Sequence, residues 1–281
     1  MRQSDAGVVL INVLAILALT ASVVYAMVSL SELAITRSQR FSAAGQAQAL
    51  IGAGEASAIT ALRRDMIDAS QADHPAEPWA QTNQDPVAIG GGRFALRIED
   101  AQARFNLNSL PGSGMLGLQM LERLVASLDL TPDVTARIAA RLAQPAPLER
   151  LTDLVAEAGL TLAEVDMLAD LITVLPGSTP VNINTAPTSL LAALADNPVQ
   201  ARQLDGIRTR QGFLTPADVA AVQVILPPGA GYGSRYFWVT ITVEIDQTSQ
   251  SLRSLLQRRT GPGGRPEVVV IERDRALVPV F

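Results

Sequence analysis

Between Asp5 and Glu32 the chain carries no charged side chain, and most positions from Gly7 to Leu30 are Val, Leu, Ile or Ala. About 20 apolar residues rising 1.5 Å each span a hydrocarbon core of roughly 30 Å. The pattern predicts a membrane-spanning helix, and Asn12, Thr20, Ser22 and Tyr25 are tolerable in a helix whose backbone satisfies itself. The run is too long for the apolar part of a cleaved secretory signal, although an ordinary signal anchor would look similar. Beyond it, Ile51, Ile59, Leu62 and Met66 keep the three-to-four spacing of a buried helix face. We therefore expect one long helix, half in the membrane and half amphipathic outside it. Gly45, Gly52 and Gly54 weaken that helix by roughly 1 kcal/mol each unless close packing compensates.

The Pro and Gly content of residues 69–92 predicts a loop. Alternation then appears: Phe94, Leu96 and Ile98 share one face of a strand, Glu99-Asp100 reads as a turn, and residues 103–107 read as a second strand. From Leu110 to Leu226 the pattern is helical and punctuated. Thr131-Pro132 reads as a cap, Gly159 as a stop, and Thr161 with Glu164 as a capping box. Ile172 and Leu175 continue the helix that the box begins, and Pro176-Gly177 closes it. Strand signals return at Phe237, Val239, Ile241, Val243 and Ile245, with a turn at 246–250, a strand at 251–259 and another at 267–273. These strands supply the partners that the earlier hairpin needs. The expected architecture is α+β: a long N-terminal helix on an antiparallel sheet, with a large all-helical insertion.

Composition narrows the chemistry. The 281 residues carry a formal net charge of −5 and contain no cysteine, one histidine and no lysine. Disulfides and thiolate metal sites are excluded, a phosphate-backbone binder is disfavoured, and His74 alone gives little material for a triad or a zinc site. We expect no catalytic residues. The segments Phe105-Asn106-Leu107-Asn108-Ser109 and Val181-Asn182-Ile183-Asn184-Thr185 resemble each other, and each leads into a helix. Asn106, Asn108, Asn182, Asn184 and Thr185 are therefore candidate caps for open N–H groups. Residues 181–222 also resemble a helix-hairpin-helix segment. Its phosphate-binding hairpin is replaced by Ala195-Asp196-Asn197-Pro198, where a carboxylate and a proline without an N–H oppose phosphate binding.

A polar leader ending at Gly7, followed at once by the apolar run, resembles the leaders cut by prepilin peptidase, which places processing at Gly7-Val8. Together with Ile98-Glu99-Asp100 leading to Phe105-Asn106-Leu107-Asn108, and with Val181 to Pro187, it resembles minor pseudopilin K of the type II secretion system. The resemblance covers nearly the whole chain. It implies a leader at 1–7, the membrane half of a helix at 8–30, a pilin-like α+β domain at 31–109 and 227–281, and an inserted helical domain at 110–226. It implies a subunit at the filament tip, anchored once in the inner membrane, with a cytoplasmic N-terminus and a periplasmic C-terminal domain. Its implied partners are minor pseudopilins I and J, other pseudopilins, prepilin peptidase and the inner-membrane secretion platform, with no nucleic acid. Counting from Val8, the fifth residue is Asn12, where most pilin-like subunits have Glu, so Asn12 is a candidate filament-assembly residue. Some pseudopilins bind calcium. Acidic side chains are available here without EF-hand spacing, which leaves the metal ligands undefined. A membrane-anchored DNA-uptake receptor, a minor pilin of a related type IV pilus and a signal-anchored enzyme are the rival readings.

Overall fold

In a computed structural model, residues 4–68, 72–246 and 248–274 are described, with side chains from residue 9 onward. Helix α1 runs unbroken over Ser4–Asp68, 65 residues, as the two hydrophobic patterns require. Its outer half meets the sheet through Ala43, Ala47, Ile51, Ala58 and Leu62, all buried. The interfacial face is lined by small residues and also takes in Glu55 and Asp65, whereas Ile59 and Met66 are only partly covered. Gly54 explains itself. A Cβ there would lie 3.2 Å from the Phe94 ring and 3.3 Å from the Ile241 side chain, so the missing side chain permits the close approach.

After α1 comes a short helix, α2 (Pro78–Gln81), then strand β1 (Gln84–Ile89) and strand β2 (Gly92–Asp100). The expected loop at 69–92 is thus corrected: it holds an edge strand. Pro86 sits at the register shift between Gln84 and Val87, on the sheet edge, where its missing N–H costs no ladder bond. Gly90-Gly91 forms the two-residue hairpin turn, with Gly91 at φ 86°.

The expected turn at Glu99-Asp100 is also corrected. Both residues remain in β2 and pair with Trp238 and Phe237, and no hairpin follows. Instead β3 (Phe105–Asn106) runs parallel to β4 (Ile172–Thr173), and β5 (Val181–Asn182) runs parallel to β6 (Ala230–Gly231). Between these pairs lie α3 (Leu110–Ser127), α4 (Asp133–Leu142), α5 (Asp153–Glu157), α6 (Leu162–Leu168), α7 (Thr188–Ala195), α8 (Pro198–Gln211) and α9 (Pro216–Ala221). The Thr161–Glu164 capping box forms as expected. Helix α6 nevertheless stops at Leu168, because the next residues are claimed by pairing: Phe105 N–H donates to the Leu171 carbonyl at 2.8 Å. Pro132, not Thr131, occupies the N-cap position of α4, and it makes no side-chain bond there.

The chain closes with β7 (Tyr236–Ile245), β8 (Thr248–Thr260) and β9 (Pro266–Asp274), completing an antiparallel sheet of order β1-β2-β7-β8-β9. The turn expected at 246–250 is shorter, since Ile245 already pairs with Thr248; Gln247 lies outside the described residues. Two main apolar clusters result. One joins α1 to the sheet around Leu62, Phe237 and Ile241, with Trp79 edge-on to Phe237 at 5.1 Å. The other fills the helical region around Leu121, Ile138, Leu168 and Ile183. That second cluster reaches past 110–226 at both ends, drawing in Phe105 and Leu107 and the partly buried Ala230 and Tyr232.

Candidate functional site: an exposed apolar helix and a buried polar junction

The first feature is the bare half of α1. Its most apolar 18-residue window has a mean hydropathy of 2.3, and none of that window is buried. Side chains such as Ile11, Ile16, Leu19 and Met27 stand open. Two polar side chains are satisfied within the helix: the Thr20 hydroxyl donates to the Leu17 carbonyl at 3.0 Å, and Ser22 to Ala18 at 2.8 Å. Asn12 lies on this open surface. Residues 1–3 of the expected leader lie outside the described residues, and the Gly7-Val8 backbone belongs to α1.

The second feature is where the helical insertion meets the sheet. Here the five candidate capping residues also link distant segments. Asn106 does cap the turn at 107–109, accepting from Asn108 N–H. It also accepts from Leu175 N–H at 3.0 Å and donates to the Gly177 carbonyl at 2.8 Å. The Asn108 amide binds both backbone groups of Leu148, at 3.0 and 2.9 Å. Asn184 does the same for Leu214, at 2.7 and 3.4 Å. The helices that follow take no side-chain cap from these residues. Ser109 before α3 and Pro187 before α7 make no side-chain cap bond. A primary amide offers a donor and an acceptor together, so it can satisfy two backbone groups of a buried loop, where a cap needs only an acceptor.

Asn182 and Thr185 converge on Asp100. Asp100 Oδ2 accepts from Asn182 Nδ2 at 2.8 Å, Thr185 Oγ1 at 2.5 Å and Ser234 Oγ at 2.6 Å, while Oδ1 accepts from Gln102 N–H at 2.8 Å. Burial pushes the Asp100 carboxyl above its ordinary range, and these hydrogen bonds pull the other way. Asn182 Nδ2 also donates to the Asp73 carbonyl at 2.9 Å, and Asp73 Oδ2 accepts from Ser234 N–H at 2.6 Å. Arg258 of β8 completes the junction. Its guanidinium donates to Asp73 Oδ1 and to Asp65 Oδ2 at the end of α1, and it lies 4.3 Å over the Phe237 ring. Burial raises Asp65 to about 6 and also raises Asp73, against the attraction of Arg258.

Asp65, Asp73 and Glu77 bring carboxylate oxygens within 4.8 Å of one another, an arrangement that invites a metal. The donors already present argue for a different occupant. Arg258 holds the two Asp side chains, and Glu77 Oε2 accepts from Trp79 Nε1 and His74 N–H, each at 2.8 Å. The cluster is built around a guanidinium. Sequence reading missed Asp65, Asp73, Asp100, Ser234 and Arg258 as a group. Their one visible trace was Asp100, a carboxylate placed directly after an alternating strand.

The hairpin between α7 and α8 is also filled by the chain itself. Asn197 Oδ1 accepts from Val199 N–H at 2.8 Å and Gln200 N–H at 3.4 Å, the groups that a phosphate would take in a DNA-binding version. Asp196 adopts φ 54° and pairs with Arg123 at 2.9 Å.

Comparison with known proteins gives these features a context. Residues 181–229, which carry Asn182, Asn184, Thr185 and the α7–α8 hairpin, match the family model of type II secretion system protein K. Type II secretion system protein K of Pseudomonas aeruginosa is 29% identical, over 100% of this chain and 96% of that protein. The Klebsiella pneumoniae protein of the same name is 27% identical, over 92% of this chain and 94% of its own length. A chain of the GspK–GspI–GspJ complex of enterotoxigenic Escherichia coli shares the fold, with a TM-score of 0.64 and 22% identity, covering 86% of this chain and 99% of that one. The exposed apolar helix, the helix-backed sheet and the Asn-rich junction inside the matched segment thus stand in a chain that is similar from end to end to type II secretion system protein K.

Proposed function

We propose that this subunit occupies the tip of the pseudopilus, initiating or capping the filament and helping folded periplasmic proteins leave the cell. The observation that carries the reading is Asn12. It stands on the open surface of α1, fifth after Gly7, in a stretch with no acidic residue between Asp5 and Glu32. In pilin-like subunits a Glu there neutralises the α-amine of the subunit above, and a subunit with nothing above it has no such amine. The helical insertion, with a core of its own, adds bulk that would obstruct addition on top. As proposed partners, the counterparts of GspI and GspJ, assembled with GspK in the structurally similar complex, would lie directly below. The proposed topology has α1 crossing the inner membrane once, with residues 1–7 cytoplasmic and removed by prepilin peptidase, and with the rest periplasmic. Photo-crosslinkers placed around the insertion and the sheet test the reading: adducts with pseudopilins should arise from one end of the domain only. Adducts from both ends, or evenly spaced copies along isolated filaments, would refute the tip position.

A further inference from the structure

We propose that Arg37 and Arg40 of α1 form a binding site for anionic phospholipid headgroups, in the gap between the membrane surface and the sheet. The inference rests on the reading above in one respect, that α1 crosses a bilayer. The 26 residues from Ala6 to Ser31 carry no charge. Rising 1.5 Å each, they are about 39 Å long, close to the roughly 40–45 Å of a bilayer with its headgroups. Centring that run in the bilayer puts the outer headgroup surface near residue 33. The Arg37 backbone then stands about 6 Å beyond the surface and that of Arg40 about 11 Å. Side chains of a helix lean toward its N-terminus, and long cationic side chains keep their heads at a lipid surface. Both guanidinium groups are therefore carried back toward the headgroups.

Among the described residues, nothing competes for this pair. Arg37 and Arg40 are exposed, and neither has a hydrogen bond or an ion pair there. Outer-domain arginines such as Arg258, Arg259 and Arg273 each meet a carboxylate. Helix α1 is bare from residue 30 to residue 42, and the sheet first covers it at Ala43. Arg40 lies three positions before Ala43, and Arg37 three before Arg40, so the pair continues the sheet-bearing face toward the membrane. Both look into the space beneath the sheet, whose lower rim is marked by Gln250 donating to the Ala44 carbonyl at 3.4 Å. Glu32, the nearest acid along the helix, is five positions before Arg37 and about 140° round from it. The occupant that this placement favours is the bilayer, because the same helix is inserted in it and its anionic headgroups carry the opposite charge. Each arginine near an anionic surface is worth roughly a fivefold preference.

The full chain, reconstituted in phosphatidylcholine bilayers with a trace of spin-labelled lipid, tests this through the association of labelled phosphatidylglycerol relative to labelled phosphatidylcholine. At low salt the parent should favour phosphatidylglycerol, and Arg37→Gln with Arg40→Gln should lower that preference about threefold or more, since only lipids touching the arginines contribute. Salt at about 1 M, where charges are screened within about 3 Å, should remove the difference between the two. An equal preference in parent and variant would overturn the proposal. Crosslinks from Phe41 to another pseudopilin that vanish in the variant would then assign the arginines to acidic side chains of a neighbour. A fluorophore on Leu19→Cys, the single thiol in a chain without cysteine, separates this outcome from failure of the spanning reading. Quenching by bromolipids labelled near the bilayer centre would mean that α1 spans, so that an equal preference counts against the arginines alone. Without such quenching the span falls, and the headgroup site falls with it.

Discussion

Asn182 donates its side-chain amide to the Asp100 carboxylate at 2.8 Å, joining the start of the second Asn-rich segment to the last residue of β2, 82 positions earlier. The same amide reaches the Asp73 carbonyl and Ser234 Oγ, and its oxygen accepts from Asn184 N–H. Replacing it with alanine strands several buried groups at once. Each buried polar group left without a partner costs about 1–3 kcal/mol. Asn182→Ala should therefore destabilise the domain by about 2–4 kcal/mol, read as a lower denaturation midpoint in urea. A loss under 1 kcal/mol would show that water replaces the amide and that the junction is not a structural weld.

The Arg258 cluster predicts a pH dependence. Asp65 titrates at about 6 in the folded protein against an ordinary value of 3.8, with burial the main cause. A folded-state pKa above the unfolded one means that the folded state binds the proton more tightly. This contribution is fully present below the unfolded value and is lost as pH rises through about 6. Asp73 and Asp100 are shifted in the same direction. Glu55 moves the other way, held down chiefly by its hydrogen bond from Arg273, and its contribution fades only as pH falls below the ordinary 4.5. Stability should thus increase as pH falls from 7.5 to 5, and Asp65→Asn should flatten that rise. A profile unchanged by Asp65→Asn would contradict the assignment.

Much of this architecture is legible in the residues, because each legible part is local. The apolar run from Gly7, the box at Thr161 and Glu164, and the alternation from Phe237 to Ile245 state their structures within a few positions. What escapes such reading depends on distant partners. Asp100 looks like a turn residue until Ser234, Thr185 and Asn182 arrive to solvate it. Ile172 fits a helix stripe until Phe105 pairs with it. The Asn residues look like caps because a cap is the local use of an amide, whereas their backbone partners at Leu148, Leu175 and Leu214 lie 30 to 69 residues away.

The glycines of α1 make opposite predictions although their local sequence is similar. Gly52 has nothing within 4 Å of a Cβ position, so Gly52→Ala should stabilise the helix by up to about 1 kcal/mol. Gly54 faces Phe94 and Ile241 at 3.2 to 3.3 Å, where a larger side chain must part the helix from the sheet. Gly54→Leu should cost about 1–3 kcal/mol or more, as overpacking does. Thermal unfolding of the two variants side by side tests this. Equal effects would mean that α1 is not seated on β2 and β7 at Gly54.

The last prediction concerns Asn12, exposed on the bare half of α1 between Ile11 and Val13. A carboxylate near the middle of a bilayer costs about 3 kcal/mol unless it is paired. In a subunit with another above it, the incoming α-amine supplies the pairing, and the charge then helps to select position. At a tip nothing supplies it, so a neutral amide is the favoured choice. Asn12→Glu should leave the outer domain's thermal unfolding unchanged, because Asn12 lies about 45 Å along α1 from the first buried contact at Ala43. It should instead alter assembly, giving fewer filaments initiated or copies of this subunit found below the tip. Crosslinks detected above it in the variant and absent in the parent would mark the misplacement. Normal filament number together with exclusive tip placement in Asn12→Glu would show that the amide is not what keeps this subunit last.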